Sequence, residues 1–282
     1  MNEPVCYLNG EFLPLDQAKI SVLDRGFIFG DAIYEVIPVY QRKPLRLAEH
    51  IARLQRSLGE IRIASPYLEA EWTRLISNLI ARSDGEDQAI YLQVSRGVAK
   101  REFGLLQGVE PTVFMLSSPF VPPPKLQIDN GVAAACLADF RWLRCDIKST
   151  SLLGANMLRQ FANDAGSAEC VLFRDGHLTE GSSSNIFVVK NGTLMTPPKS
   201  RLILPGITYD LLLELATANG VPSEVREVPE SEVKAADELM LSASLRELLA
   251  ITQLDGKPVS NGKPGPVFRR LYELFQAYKA TL

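Results

Sequence analysis

The stretch Pro119-Phe120-Val121-Pro122-Pro123-Pro124-Lys125 divides the chain. Three consecutive prolines offer no amide donors and favour an extended, semi-rigid path, so residues 119–125 read as a linker. It leaves a smaller N-terminal part, 1–118, and a larger C-terminal part, 126–282, both of ordinary domain size. Upstream, Val5 to Leu8, the turn Asn9-Gly10 and Glu11 to Leu13 predict a hairpin. A glycine-containing loop, Asp24-Arg25-Gly26-Phe27-Ile28-Phe29-Gly30-Asp31, precedes a β-rich run from Ala32 to Tyr40. Leu47, Ile51, Leu54, Leu58 and Ile61 then recur at spacings of four and three, one face of a helix. A second helix is expected over Glu69 to Arg82, with strands near Ile90–Arg96 and Thr112–Ser117. Downstream, a strand at Val132–Leu137 is followed by a helix from Leu152 to Ala165 and hairpins turning at Asp175-Gly176 and Asn191-Gly192. A helix from Thr208 to Ala218 stops at Gly220. Strands and helices mix without strict alternation, which favours two α+β domains over a doubly wound sheet.

Composition narrows the chemistry. The 282 residues are 46% hydrophobic and 22% charged, with a net charge of −3. Mean hydropathy is +0.02, and no apolar run approaches the ~20 residues of a membrane span. The opening Met1-Asn2-Glu3-Pro4 lacks the basic and apolar regions of a secretory signal, so a cytoplasmic location is expected. The acidic balance argues against a nucleic-acid partner. Only His50 and His177 are present, which disfavours a histidine-rich metal site, and a Ser-His-Asp triad would have to use one of them. The four scattered cysteines form no CxxC pair and read as small hydrophobes. G-x-G-x-x-G is absent, which removes the dinucleotide fingerprint. Any demanding chemistry therefore falls to other side chains or to an organic cofactor.

Four places offer such chemistry. Lys148, in Cys145-Asp146-Ile147-Lys148-Ser149, reads as a lysine at a strand end among apolar neighbours. Desolvation favours the free amine, which attacks a carbonyl to form a Schiff base. A surface lysine with a snorkelling stem fits the same residues. Glu180, opening Glu180-Gly181-Ser182-Ser183-Ser184-Asn185, could meet a protonated ring nitrogen, although a serine-rich loop is the plainer reading. In Leu204-Pro205-Gly206-Ile207-Thr208 the amides of Ile207 and Thr208 would emerge at a helix N-terminus, a ready phosphate site, or Thr208 is an ordinary cap. His50, Arg53 and Ser57 form a stripe bordering the apolar helix face, read as a solvated edge from which Arg53 could reach a phosphate.

Set in order, these stretches resemble the fold-type IV enzymes dependent on pyridoxal 5'-phosphate (PLP), D-amino-acid transaminases above all. The matching runs begin with residues 24–36, Glu49-His50-Ile51-Ala52-Arg53-Leu54 and Tyr91-Leu92-Gln93-Val94-Ser95-Arg96-Gly97. They continue through Arg141-Trp142-Leu143-Arg144-Cys145-Asp146-Ile147-Lys148-Ser149, Leu153-Gly154-Ala155, Thr179–Asn185 and Gly206-Ile207-Thr208.

The resemblance implies a two-domain α+β fold with the active site between the domains and the PLP lysine in the C-terminal domain. It makes Lys148 the Schiff-base lysine and proton shuttle, and Glu180 the partner of the pyridinium nitrogen. Arg53, Ile207, Thr208 and Ser244 become the phosphate ligands, with Ala243 standing where the family often has a second hydroxyl residue. The family's carboxylate trap of tyrosine, arginine and histidine maps onto Tyr34, Arg101 and Phe103, so the histidine is replaced by an apolar ring. The implied activity is ping-pong transfer of an amino group between a D-amino acid, such as D-alanine, and a 2-oxo acid, by a homodimer. Branched-chain L-amino-acid aminotransferase and aminodeoxychorismate lyase share the fold and are the alternatives. A non-catalytic binding protein is disfavoured, because it has no use for both Lys148 and Glu180.

Overall fold

Period-two burial builds the first sheet. In β3, Ala32–Tyr40, the side chains of Ile33, Glu35, Ile37 and Val39 are buried, whereas Tyr34 and Val36 are half-buried. The computed structural model describes residues 5–106 and 108–282, and it separates into two units. The first contains the described residues up to Val121 together with Ile147–Leu152. Its strands are β1 (Val5–Leu8), β2 (Glu11–Pro14), β3, β4 (Lys43–Pro44), β5 (Gln88–Ser95) and β6 (Thr112–Pro119). They form an antiparallel sheet in the order β2-β1-β6-β5-β3-β4. The loop expected at residues 24–31 contains a short helix, α1 (Arg25–Phe29), capped by the Asp24 carboxylate on the Gly26 amide.

Two longer helices, α2 (Leu47–Glu60) and α3 (Glu69–Arg82), pack on this sheet. Their apolar stripes place Leu54, Leu58, Trp72 and Ile76 at the centre of the core. Full burial of each such leucine contributes about 1.5–3 kcal/mol before entropic costs.

The second unit contains Pro122–Asp146 and Leu153–Leu282. Its helices are α4 (Lys125–Asn130), α5 (Leu153–Asp164), α6 (Ile207–Ala218), α7 (Glu230–Lys234) and α8 (Pro266–Lys279). Its strands are β7 (Val132–Ala138), β8 (Glu169–Arg174), β9 (His177–Leu178), β10 (Asn185–Lys190), β11 (Thr193–Thr196), β12 (Ser223–Val225), β13 (Glu238–Ala243), β14 (Glu247–Leu254) and β15 (Lys257–Pro258). They make one mixed sheet in the order β12-β11-β10-β13-β14-β7-β8-β9, with β15 on β14. Leu239, Leu241, Leu249 and Ile251 bury one face in a common core. The alternate residues Met240, Ser242, Leu248 and Ala250 point the other way, where α6 and α8 pack.

One placement differs from the sequence reading. Lys148 was expected with the C-terminal part, at the end of a strand. Instead Ile147–Leu152 belongs to the first unit, because it pairs with the Ala32–Tyr34 end of β3, which β4 leaves uncovered. The Tyr34 amide donates to the Lys148 carbonyl at 2.9 Å, the Thr150 amide donates to the Ala32 carbonyl at 3.0 Å, and Ser149 bridges Ile33. Ile147 is buried in the first core. Lys148 thus lies in irregular chain beside a strand, not at the end of one.

Candidate active site

Edge pairing along β3 sets where Lys148 points. Its ammonium stands 4.2 Å from the centre of the Tyr34 ring, and Tyr34 stacks on Tyr91 with centroids 5.8 Å apart. A cation over an aromatic face is held by the ring quadrupole. The structure therefore brings together Lys148 and Tyr34, two of the residues singled out from sequence.

The stripe His50, Arg53, Ser57 is not a solvated edge. All three are buried, and the first two converge on a carboxylate that the sequence reading had not singled out, Glu35. Arg53 grips Glu35 with two parallel bonds, Nε to Oε1 at 2.8 Å and Nη2 to Oε2 at 2.7 Å. His50 Nδ1 lies 2.8 Å from Oε2 and must carry the proton, since a carboxylate only accepts. Burial alone would raise the Glu35 pKa, but the Arg53 charge and the bonds from Arg53 and His50 outweigh it and bring it down to about 2. Burial pushes His50 down, partly opposed by Glu35. A charged residue at an inward position of the alternating run Ile33-Tyr34-Glu35-Val36-Ile37 was the available signal.

In the second unit Glu180 is buried and fully engaged. Arg141 Nη1 donates to Oε1 at 2.6 Å, and the Leu204 amide and Asn185 Nδ2 donate to Oε2 at 2.9 and 3.3 Å. Arg141 also binds Asp139 through Nε and Nη2, both at 2.9 Å. Burial pushes Glu180 up to about 7 despite the opposing Arg141 charge. The acid is thus poised to share a proton with a basic nitrogen near neutral pH. Arg141, though largely desolvated, is held above its ordinary range by Asp139 and Glu180.

α6 starts 23 residues after Ser184, at Ile207, with Gly206 as a cap that has no side chain to offer. Among the described residues, no acceptor meets the amides of Ile207 and Thr208. A Cβ at Gly206 would collide with Asn185 Oδ1, so only glycine lets the helix end lie this close to β10. Ser242 faces Asn185 across β10 and β13, and its buried hydroxyl has no partner among the described residues. Unpaired donors at an uncapped helix start suit a phosphate. Ser244 is half-buried in the turn between β13 and β14.

Arg101 is not brought to Tyr34 or Lys148. It is exposed, with its guanidinium 5.5 Å from the Phe29 ring centre and 5.8 Å from that of Phe103. Phe103 is itself 85% exposed. Arg25 and Arg96 are both committed to Asp31, at 2.9 and 2.7 Å. No group among the described residues could hold a metal ion, and no helix among them is long and apolar enough to cross a membrane.

Comparison with known proteins gives these residues a context. The sequence profile of the family "Amino-transferase class IV" matches residues 32–254. A D-alanine aminotransferase of Bacillus licheniformis is 39% identical over 268 residues, 95% of this chain and 94% of the relative. Another, of Staphylococcus aureus strain COL, is 38% identical over 273 residues, 96% of each chain. Among solved structures, the branched-chain amino acid aminotransferase of Escherichia coli has a TM-score of 0.92 at 24% identity, a likeness of fold alone. That of Thermoproteus uzoniensis has a TM-score of 0.90 at 26% identity. Both alignments cover 98% of this chain and 94% of the other. With a family match from Ala32 to Leu254 and such relatives along nearly its whole length, this chain belongs to the class IV aminotransferases, enzymes that work with PLP.

Proposed function

We propose that this protein is a D-amino-acid transaminase that moves the amino group between a D-amino acid, such as D-alanine, and a 2-oxo acid. The observation that carries this reading is the match, over nearly the full chain, to relatives named D-alanine aminotransferase. When bound, PLP supplies a conjugated ring that accepts electron density from the substrate's α-carbon. The chain's own residues hold, orient and move protons around that chemistry.

Lys148 Nζ is the point of attachment and the base that takes and returns the α-proton, with the Tyr34 ring fixing its direction. Glu180 partners the ring nitrogen, and Arg141 keeps the Glu180 carboxylate in place. The amides of Ile207 and Thr208, the Ser244 hydroxyl and the Arg53 guanidinium hold the phosphate. Glu35 and His50 orient Arg53 rather than touch the substrate. Because each acid uses the same site in turn, the kinetics are ping-pong.

The substrate carboxylate is held by the Tyr34 hydroxyl and by Arg101. In one chain Arg101 packs on Phe29 and Phe103 rather than on Tyr34, so we assign it to the neighbouring subunit of a homodimer. Exposed Val22, Phe27 and Phe103 in the first unit supply apolar surface for such contact, and sedimentation equilibrium tests it. The deciding assay uses purified protein with paired D- and L-amino acids and 2-oxoglutarate. Turnover of D-alanine above L-leucine supports the D-specific reading. The reverse would assign the branched-chain L-amino-acid alternative; the two solved structures are named branched-chain aminotransferases.

A further inference from the structure

Glu169, at the start of β8, is wholly buried and receives more hydrogen bonds than a carboxylate needs. Oε1 accepts from the amides of Cys170 and Ser182 at 2.9 and 3.0 Å and from the Ser182 hydroxyl. Oε2 accepts from Arg159 Nη2 at 2.9 Å, Ser184 Oγ at 2.8 Å and Arg246 Nη1 at 3.0 Å. The two guanidinium groups outnumber the one carboxylate, so the cluster carries an excess positive charge.

The two arginines are not equivalent. Arg159 is spent: its Nε and Nη2 also bind Ser182 and Ser183, at 3.0 and 2.7 Å, and its Nη1 binds the Ala168 carbonyl. Arg246 makes a single bond, and its Nε and Nη2 meet no acceptor among the described residues. Those two nitrogens form the edge of a guanidinium that grips a carboxylate with two parallel bonds. Its side chain is only 23% exposed, and burial together with Arg159 lowers its pKa, so an anion there would relieve an unfavourable charge.

Position ties this edge to the catalytic half-site of the same unit. Arg246 closes the turn that carries Ser244. It is anchored on Glu169, against which Gly181 packs so tightly that a Cβ there would stand 3.0 Å from the Glu169 carboxyl carbon. Gly181 directly follows Glu180.

Resting on the transaminase reading above, we infer that Arg246 is a specificity-determining residue that takes the distal carboxylate of a dicarboxylic 2-oxo acid or amino acid. The test uses PLP-loaded protein with D-alanine as donor and 2-oxoglutarate or 2-oxobutyrate as acceptor, with the new D-amino acid quantified by chromatography. In Arg246→Gln the ratio of kcat/KM for 2-oxoglutarate to that for 2-oxobutyrate falls at least tenfold, chiefly through KM, and Arg246→Lys recovers part of it. An unchanged ratio, whether both acceptors suffer equally or neither does, overturns the assignment and leaves Arg246 as an anchor of Glu169. Calorimetric binding of glutarate against butyrate reads the same residue without turnover. Selective weakening of glutarate in Arg246→Gln supports the assignment, and equal binding in wild type and variant overturns it. Absence of transamination by the wild type with any D-amino acid would instead count against the transaminase reading itself.

Discussion

Replacing Glu35 by Gln keeps the shape of the side chain and removes the charge that the Arg53 guanidinium, 6% exposed, grips with two bonds. The cost can be worked in two ways. The Glu35 pKa drops from 4.5 to about 2, a shift worth about 3 kcal/mol. Breaking a buried ion pair by removing one partner costs about 3–5 kcal/mol, which agrees. Because the folded pKa is depressed, the stabilisation is fully present above pH 4.5 and is lost as pH falls toward 2. Urea unfolding of the cofactor-free protein should therefore show Glu35→Gln less stable by about 3 kcal/mol at pH 7, with the gap narrowing below pH 4.5. If Arg53 also holds the phosphate, adding PLP supplies the missing negative charge and recovers part of the loss. A difference under about 1 kcal/mol at pH 7, or one that does not narrow in acid, would refute the view that Glu35 neutralises Arg53.

Four other outcomes are expected. Borohydride treatment of the PLP-loaded protein should fix the cofactor on the Lys148 peptide, and label on another lysine would remove Lys148 from its role. Glu180→Gln should retain cofactor while single-turnover transamination slows by about a hundredfold, roughly 2.7 kcal/mol of barrier; stopped-flow absorbance reads it. Gly206→Ala should weaken PLP binding at least tenfold in a fluorescence titration, because the new methyl collides with Asn185 and shifts the start of α6. Arg101→Ala should raise KM for D-alanine strongly without altering the cofactor spectrum, and an unchanged KM would pass the carboxylate to another cation.

Much of the architecture was legible locally. The helix expected over residues 69–82 is α3, Glu69–Arg82, and the hairpin at Asn9-Gly10 joins β1 to β2. Each rests on periodicity or turn chemistry within a dozen residues, which propensity and backbone sterics decide. The C-terminal helix, α8, was not read, although Phe268, Leu271 and Phe275 form its buried stripe and Pro266 opens it. The run Ile33–Ile37 reads as strand, and its alternation puts Glu35 on the buried face, but no neighbouring residue says which counter-charge it meets.

By itself, then, the sequence determined the α+β class and most elements, and it offered Lys148, Glu180, Ile207 and Thr208 as candidates for PLP chemistry. It could do so because helix starts, turns and reactive side chains announce themselves in neighbouring residues. Only the tertiary structure decided which unit holds Lys148, that Arg53 and His50 are buried on Glu35, and that Arg141 and the Leu204 amide meet on Glu180. Those partners lie 15 to 39 positions apart along the chain, and Lys148 lies more than a hundred beyond the β3 strand it pairs with. A buried charge takes whatever counter-charge the fold delivers, and no local pattern encodes that choice.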